Sequence, residues 1–313
     1  NMSGNTGVKV FAPASIAGFS TGISIMSVAV NHLGDELKAR LTTKHNGVKI
    51  ESISGYKKGM SKEVHLNSAS LAGQLLLDHL NEKTGISFIL TKNIPLNSGF
   101  SSNAASAVAG VFAVNALLGK PLKRYDLLPF AEAAATKFNI NPFPAQVCSI
   151  LFGGIILYKN DKTEKFQKIY APTGIKLTLI KPDIVFNEQE KLNFIDKSDK
   201  LKNSIINGGN IATMISSLYT SDFNLFSESL QDNLLKEQLK HLYPYFQDIE
   251  ELSISKGAFG CGFAGLGPGI FIASPNSLIA DEIELKLNAI FKTHKIGFEH
   301  TQTEINLNGV SIY

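Results

Sequence analysis

Cysteine is scarce. The 313 residues hold Cys148 and Cys261 and no others, and neither stands in a C-x-x-C or Cys/His spacing that would hold a metal. Both lie among apolar neighbours, the setting of free thiols in a reducing compartment rather than of a disulfide framework. No apolar run approaches the ~20 residues needed to cross a bilayer. The opening NMSGNTGVKV lacks the long apolar core of a secretory signal, so a soluble, cytoplasmic protein is expected, with no membrane partner. An excess of one charge is missing too. Lys and Arg number 30 against 27 Asp and Glu, which is too even to mark a nucleic-acid surface. The most basic stretch, KSDKLK at 197–202, reads as a solvated face. There is no internal repeat and no low-complexity tract. What remains is an ordinary globular balance, 44% hydrophobic and 18% charged. The length favours two domains over a single core.

Periodicity supplies the elements. Strands are expected over 8–12, 23–31, 36–43, 48–52, 85–92 and 153–158, with helices over 67–80, 102–118 and 124–137. The mostly polar segment 159–173, which carries Pro172, reads as the connection between domains. Beyond it, strands at 175–180, 270–274 and 303–310 alternate with helices at 205–218, 225–231, 248–256 and 277–293. Strands and helices interleave in both halves, so the class is α+β. The division falls into residues 8–165 and 166–313.

One stretch stands out for chemistry: IPLNSGFSSNAASAVAG at 94–110. A helix N-terminus presents unpaired N–H groups and the positive end of the helix dipole, and phosphate sits there readily. Ser98, Gly99, Ser101, Ser102 and Asn103 supply small polar groups at that point, and Ala104, Ala105, Ala109 and Ala113 keep the helix thin. The loop is not a Walker loop, because no Gly-Lys-Ser/Thr ends it. Taken alone, it fits a capped, Ala-rich core helix after a tight turn at least as well as a phosphate site.

The order of segments shifts that balance. VKVFAPASIAG near the start, IPLNSGFSSNAAS in the middle and FGCGFAGLGPGIFIA near the end resemble the three motifs of the GHMP small-molecule kinases. The likeness is to the homoserine-phosphorylating branch and runs from about Val8 to Val310. It implies an N-terminal α/β domain of the ribosomal-protein-like type, a C-terminal ferredoxin-like domain and a nucleotide site between them. It also implies ATP, magnesium, transfer of the γ-phosphoryl group to the hydroxyl of homoserine in threonine biosynthesis, and often a homodimer.

Carried over position by position, the resemblance puts Asn67 beside the adenine. It puts Ser98, Gly99, Phe100, Ser101, Ser102, Asn103, Ala104 and Ala105 around the phosphates, and Gly265 and Gly267 in the third motif behind them. Several positions depart from the family pattern. Ser101 stands for a Gly, Asn103 for a magnesium-binding Ser, and Phe100 for a Leu. In the acceptor motif A-N-x-G-x-G-F-D, the Asn is Gly18 and the Asp is Ser24. In the stretch FPAQVCSILFGG, which ends on Gly153 and Gly154, the family's His, Asp and Asn are Phe143, Ala145 and Gln146. Its magnesium-bound Glu falls on Ala135, with Glu132 nearby on the same helix. Lys191 or Leu192 occupies the place of one carboxylate-binding Arg, and Leu239 that of another. None of the seven His residues lies in a motif. Three readings stay open: a kinase of this branch or one with a different small-molecule acceptor, a catalytically degenerate homologue that binds a ligand or partner, and a family enzyme of other chemistry such as a phosphate-assisted decarboxylase.

Overall fold

A computed structural model describes residues 7–56, 58–138, 144–159, 165–184, 186–195, 201–232 and 234–313. The basic stretch at 197–202 lies largely outside them, as does Phe143. In the N-terminal half, β1 (Gly7–Ala17), β2 (Met26–Thr42) and β3 (Gly47–Gly55) are followed by α1 (Ser68–His79), β4 (Gly85–Lys92) and α2 (Ser102–Leu117). Then come α3 (Leu128–Lys137), α4 (Pro144–Phe152), β5 (Ile155–Lys159) and β6 (Lys165–Ile169). The C-terminal half runs β7 (Lys176–Pro182), α5 (Glu188–Phe194), α6 (Leu201–Thr220), α7 (Phe223–Ser229), α8 (Lys236–Leu242) and α9 (Tyr245–Lys256). It ends with β8 (Gly260–Phe263), β9 (Ile270–Ser274), α10 (Ser277–His294), β10 (Phe298–Thr303) and β11 (Ser311–Ile312).

Two sheets organise these elements. The first has the order β11-β1-β2-β4-β3, with β5 on β2 and β6 on β5. Its β3–β4 pair is parallel and its other pairs are antiparallel. The second is antiparallel throughout, in the order β10-β7-β9-β8. Helices α1 to α4 pack together on the first sheet and bury its apolar face. Ala-rich α2 sits at their centre, close enough to α1 that a Cβ on Gly110 would overlap the Ala69 carbonyl. Small side chains on α2 are what permit that approach. In the second half, Ile180, Leu239, Phe246, Ile283 and Phe291 belong to a separate apolar cluster between the antiparallel sheet and its helices.

Four expectations change. The stretches 23–31 and 36–43 belong to one strand, β2, which begins at Met26 and runs on through 32–35, with a register shift opposite Pro13 and Ser15 that absorbs the irregularity. The supposed connection at 159–173 contains β6, whose polar side chains suit an edge strand, and β6 lies across the expected division at 165/166. A strand at 303–310 is replaced by β10, which ends at Thr303, and by the short β11, which returns to β1 in the first sheet. Helix α4 was not anticipated, since its run of apolar residues lacks a polar face to set a period.

Candidate active site

Between β4 and α2 the loop is stitched to both neighbouring motifs through its backbone. Ser15 and Ala17 on β1 donate their amides to the carbonyls of Phe100 (3.2 Å) and Gly99 (3.4 Å). Gly269 donates to the Ser98 carbonyl (2.9 Å), and Gly265 to that of Ala17 (2.7 Å). Gly99 has φ +87°, and any Cβ there would overlap the Ala264 carbonyl oxygen. Only glycine meets both conditions. Ser98 closes the turn with its own hydroxyl, donating to the Pro95 carbonyl (2.7 Å) and accepting from the Phe100 amide (3.2 Å).

The two bulky departures in this loop do not obstruct it. Phe100 is fully buried, with its ring packed where Gly269 leaves room. Ser101 takes left-handed backbone at φ 68° as the N-cap of α2, and its hydroxyl lies 2.7 Å from that of Ser15, inside the protein. That hydroxyl makes no cap to α2, so the 16-residue helix directs its first-turn amides and dipole toward the loop rather than into a side chain. Ser102 donates to the Ile94 carbonyl (3.0 Å). Asn103, Ala104 and Ala105 lie in the first turn of the helix, where Ala104 and Ala105 are buried.

Beneath the loop lies a charged cluster that sequence reading missed. Lys92, at the end of β4, and Asp35 on β2 are both fully buried and ion-paired. Lys92 also donates to the Ser106 hydroxyl (2.7 Å) and the Ser102 carbonyl (3.0 Å), both on α2. Asp35 accepts from the amides of Asn93 (3.0 Å) and Ile94 (3.2 Å). Burial raises the Asp35 carboxyl and lowers the Lys92 ammonium, and each partner's charge works against the other's shift. The pair clamps the end of β4 to the start of α2. Its one sequence signal is an acid and a base set inward on two neighbouring apolar strands.

Asn67 is buried and caps α1, accepting from the Ala69 amide (3.0 Å) and donating to the Ser61 carbonyl (3.1 Å). The turn after β1 starts at Gly18, with φ +81° and space for a Cβ only 3.0 Å from Ile23 Cα. Ser24 is also left-handed. Phe19 stacks on Phe271 at 5.0 Å, and Thr21 is bonded to Asn207 of α6 by two hydrogen bonds. The turn is therefore anchored in the C-terminal half. Gln146 is buried on α4 beside fully buried Ala145, and Ala135 is buried on α3. Glu132, half-buried on α3, lies near enough to Cys148 that its charge adds to the burial that raises the thiol.

Lys191 and Leu239 are placed differently from a carboxylate clamp. The Lys191 ammonium is buried and donates to the carbonyls of Asn97 and Gly267, both at 2.5 Å, so it ties the β4–α2 loop to the loop between β8 and β9. Leu239 is fully buried in the C-terminal cluster. One turn earlier on α8, Lys236 lies around a narrow crevice with Ser20, Asp232, Gly262, Phe263 and Gly265. Lys236 donates to Glu250 (2.6 Å) and Gln231 (2.8 Å). Its i−3 spacing from Leu239 was the signal available for finding it. Among the described residues, no group of three or more His, Cys, Asp or Glu is placed to hold a metal. No helix there is long and apolar enough to cross a membrane.

Residues 67–154, which hold the loop and helices α1 to α4, match the family model of the GHMP kinases N terminal domain. Mevalonate kinase from Methanococcus jannaschii shares the fold, with a TM-score of 0.74 at 17% identity, covering 97% of this chain and 99% of that one. The chain belongs to the GHMP kinase family. Within the family it is homoserine-kinase-like. The crystal structure of homoserine kinase from Cytophaga hutchinsonii is 32% identical and superposes with a TM-score of 0.95, covering 100% of this chain and 99% of that one. Homoserine kinases from Chlorobium phaeovibrioides and Chlorobium phaeobacteroides are 30% and 29% identical, over 86% and 97% of this chain and 87% and 97% of their own lengths.

Proposed function

We propose that this protein binds ATP in the loop at 98–105 and transfers the γ-phosphoryl group to the hydroxyl of a small amino acid, homoserine or a close relative. The observation that carries the reading is the intact cradle: Gly99 set against Ala264, the helix N-terminus beyond it, and both bulky side chains turned inward. Phosphate oxygens fit such a site. For magnesium, Asn103 and Glu132 are the candidate ligands, and a single carboxylate plus substrate phosphates is within what this ion accepts. Magnesium–ATP supplies the transferable group and neutralises charge. The chain's own residues hold the phosphates with backbone amides and seat the acceptor between the turn at 18–24 and α4. Catalysis by alignment of this kind can supply ~7–11 kcal/mol. The chain's likeness to the family supports a cytoplasmic protein that forms a homodimer.

Calorimetric titration with ATP tests the cradle. Binding is expected for the unaltered protein and loss of binding for Gly99→Ala. No binding by the unaltered protein, or equal binding by Gly99→Ala, overturns the reading. A second reading is favoured by one observation: Gly18 and Leu239 leave the acceptor side without the side chains that hold a zwitterion, and Lys191 is engaged elsewhere. On that reading the protein binds nucleotide but turns over slowly, as a binding or partner protein.

A further inference from the structure

The reaction proposed above makes no use of a line of four buried serines that runs from the phosphate loop to α4. Ser101 of the loop lies 2.7 Å from Ser15 on β1, hydroxyl to hydroxyl. Ser27 on β2 donates to Ser15 (3.0 Å), and Ser149 on α4 donates to Ser27 (2.9 Å). Ser15, Ser27 and Ser149 have no exposed surface, and Ser101 has 8%. With Ser15 donating to Ser101, and Ser101 to the Ser15 carbonyl (3.2 Å), every hydroxyl in the line has an acceptor and the donation runs in one sense. The Gln146 carbonyl lies 3.0 Å from Ser149 as an alternative acceptor at the far end.

Hydroxyls in such a chain polarise one another, and the Ser27 hydroxyl, which also lies 3.4 Å from the Ile16 carbonyl, keeps its stronger bond to Ser15 while Ser149 donates to it. Ser101 is the member that makes this chain differ from the motif it resembles, where that position is Gly. The hydroxyl at 101 ends the line at the loop. Without it, Ser15 would face a vacant position and the loop would touch β1 through backbone alone.

We propose that Ser15, Ser27, Ser101 and Ser149 form a continuous hydroxyl chain that positions the phosphate loop against α4, so that the loop's rigidity and its hold on nucleotide depend on a serine one helix away. Ser149 is then a positioning residue. It acts through Ser27 and Ser15, and it joins the nucleotide side to the helix that carries Gln146.

This inference rests on the nucleotide reading for its functional half only, and the test separates the two. Amide hydrogen exchange of segment 98–105 is measured without ligand in the unaltered protein, in Ser149→Ala, in Ser101→Gly and in the double variant. Ser149→Ala is expected to speed exchange of 98–105 about five- to tenfold, the loss of roughly one buried hydrogen bond. In the Ser101→Gly background it should add nothing, because the line is already cut. Ser149→Cys fills the space that alanine leaves but donates weakly, and should match Ser149→Ala at the loop. Two results overturn the proposal: exchange at 98–105 unchanged by Ser149→Ala, or an equal increase with and without Ser101. ATP titration of the same proteins then reads the functional half, with Ser149→Ala expected to weaken binding by a similar factor. Absence of ATP binding in the unaltered protein would refute the nucleotide reading, while the exchange cycle would still decide the coupling.

Discussion

Lys92 shows how much rests on a single buried group. Its ammonium, fully buried, meets Asp35, Ser106 and the Ser102 carbonyl at once. Lys92→Met keeps the bulk and removes the charge, leaving the Asp35 carboxyl without its cation. Breaking a buried pair in this way costs about 3–5 kcal/mol, while replacing both partners is far milder. Urea unfolding should therefore show a large loss for Lys92→Met and a partial recovery when Asp35→Leu is added. No recovery would mean that Lys92 is held by the Ser102 and Ser106 bonds more than by the ion pair. The same reasoning bears on restoring the family's acceptor residues. An arginine at 239 would have to enter the apolar C-terminal cluster, and an asparagine at 18 would have to adopt left-handed backbone against Ile23.

Helices make two further expectations. Gly110 lets α2 touch α1, so Gly110→Ala drives a methyl group into the Ala69 carbonyl. Overpacking of this sort costs ~1–3 kcal/mol, and thermal unfolding should show a lowered midpoint, whereas Gly119→Ala, in open space at a helix end, should act only through its left-handed backbone. In the C-terminal half, Glu250 on α9 joins Lys236 (2.6 Å) and Lys240 (2.9 Å) on α8. Burial would raise its carboxyl, but the hydrogen bonds and charges of the two lysines outweigh that and hold it below the usual value. A depressed carboxyl stabilises the fold above its unfolded pKa and ceases to do so as pH falls through its folded pKa. The stability gap between the unaltered protein and Glu250→Gln should be full near pH 7 and shrink below about pH 4.5, the ordinary glutamate value. A gap that stayed constant across that range would show that Glu250 contributes by packing rather than by charge.

Over the whole molecule, the two halves meet at the loops that would hold the nucleotide. Lys191 binds one carbonyl from each loop, Phe19 from the N-terminal half stacks on Phe271, and Asn207 grips Thr21. Such an interface should unfold with the halves as one unit. Calorimetric and van't Hoff enthalpies are expected to agree for the unaltered protein and to diverge for Lys191→Met, which leaves two carbonyls unsatisfied. Function at this scale follows from what the halves jointly hold. On the second reading, in which the protein binds nucleotide but turns over slowly, nucleotide binding should gain little from magnesium, and an ADP-release assay with homoserine should run at least ~10³-fold below a competent relative, at ~1.4 kcal/mol per decade for several lost contacts. Turnover of order 1–100 s⁻¹ would show that Lys236 and its neighbours have taken over the acceptor's charge.

Local pattern in the sequence determined a good deal. Elements with local signals, such as α1 with its cap at Asn67, the β4 strand and the small-residue run of α2, read correctly because those signals lie within a few residues of one another. The order of three glycine-bearing motifs made the family legible for the same reason. Tertiary structure alone decided where side chains point. Nothing local says that Ser101 turns toward Ser15, 86 positions away, that Lys92 finds Asp35 across a sheet, or that Lys191 meets two loop carbonyls. Nor could the polar residues of β6 announce a strand, since an edge strand takes its partner from elsewhere in the chain. Each of these depends on contacts between distant segments, and the free energy of such a contact exists only once the chain has closed the loop between them.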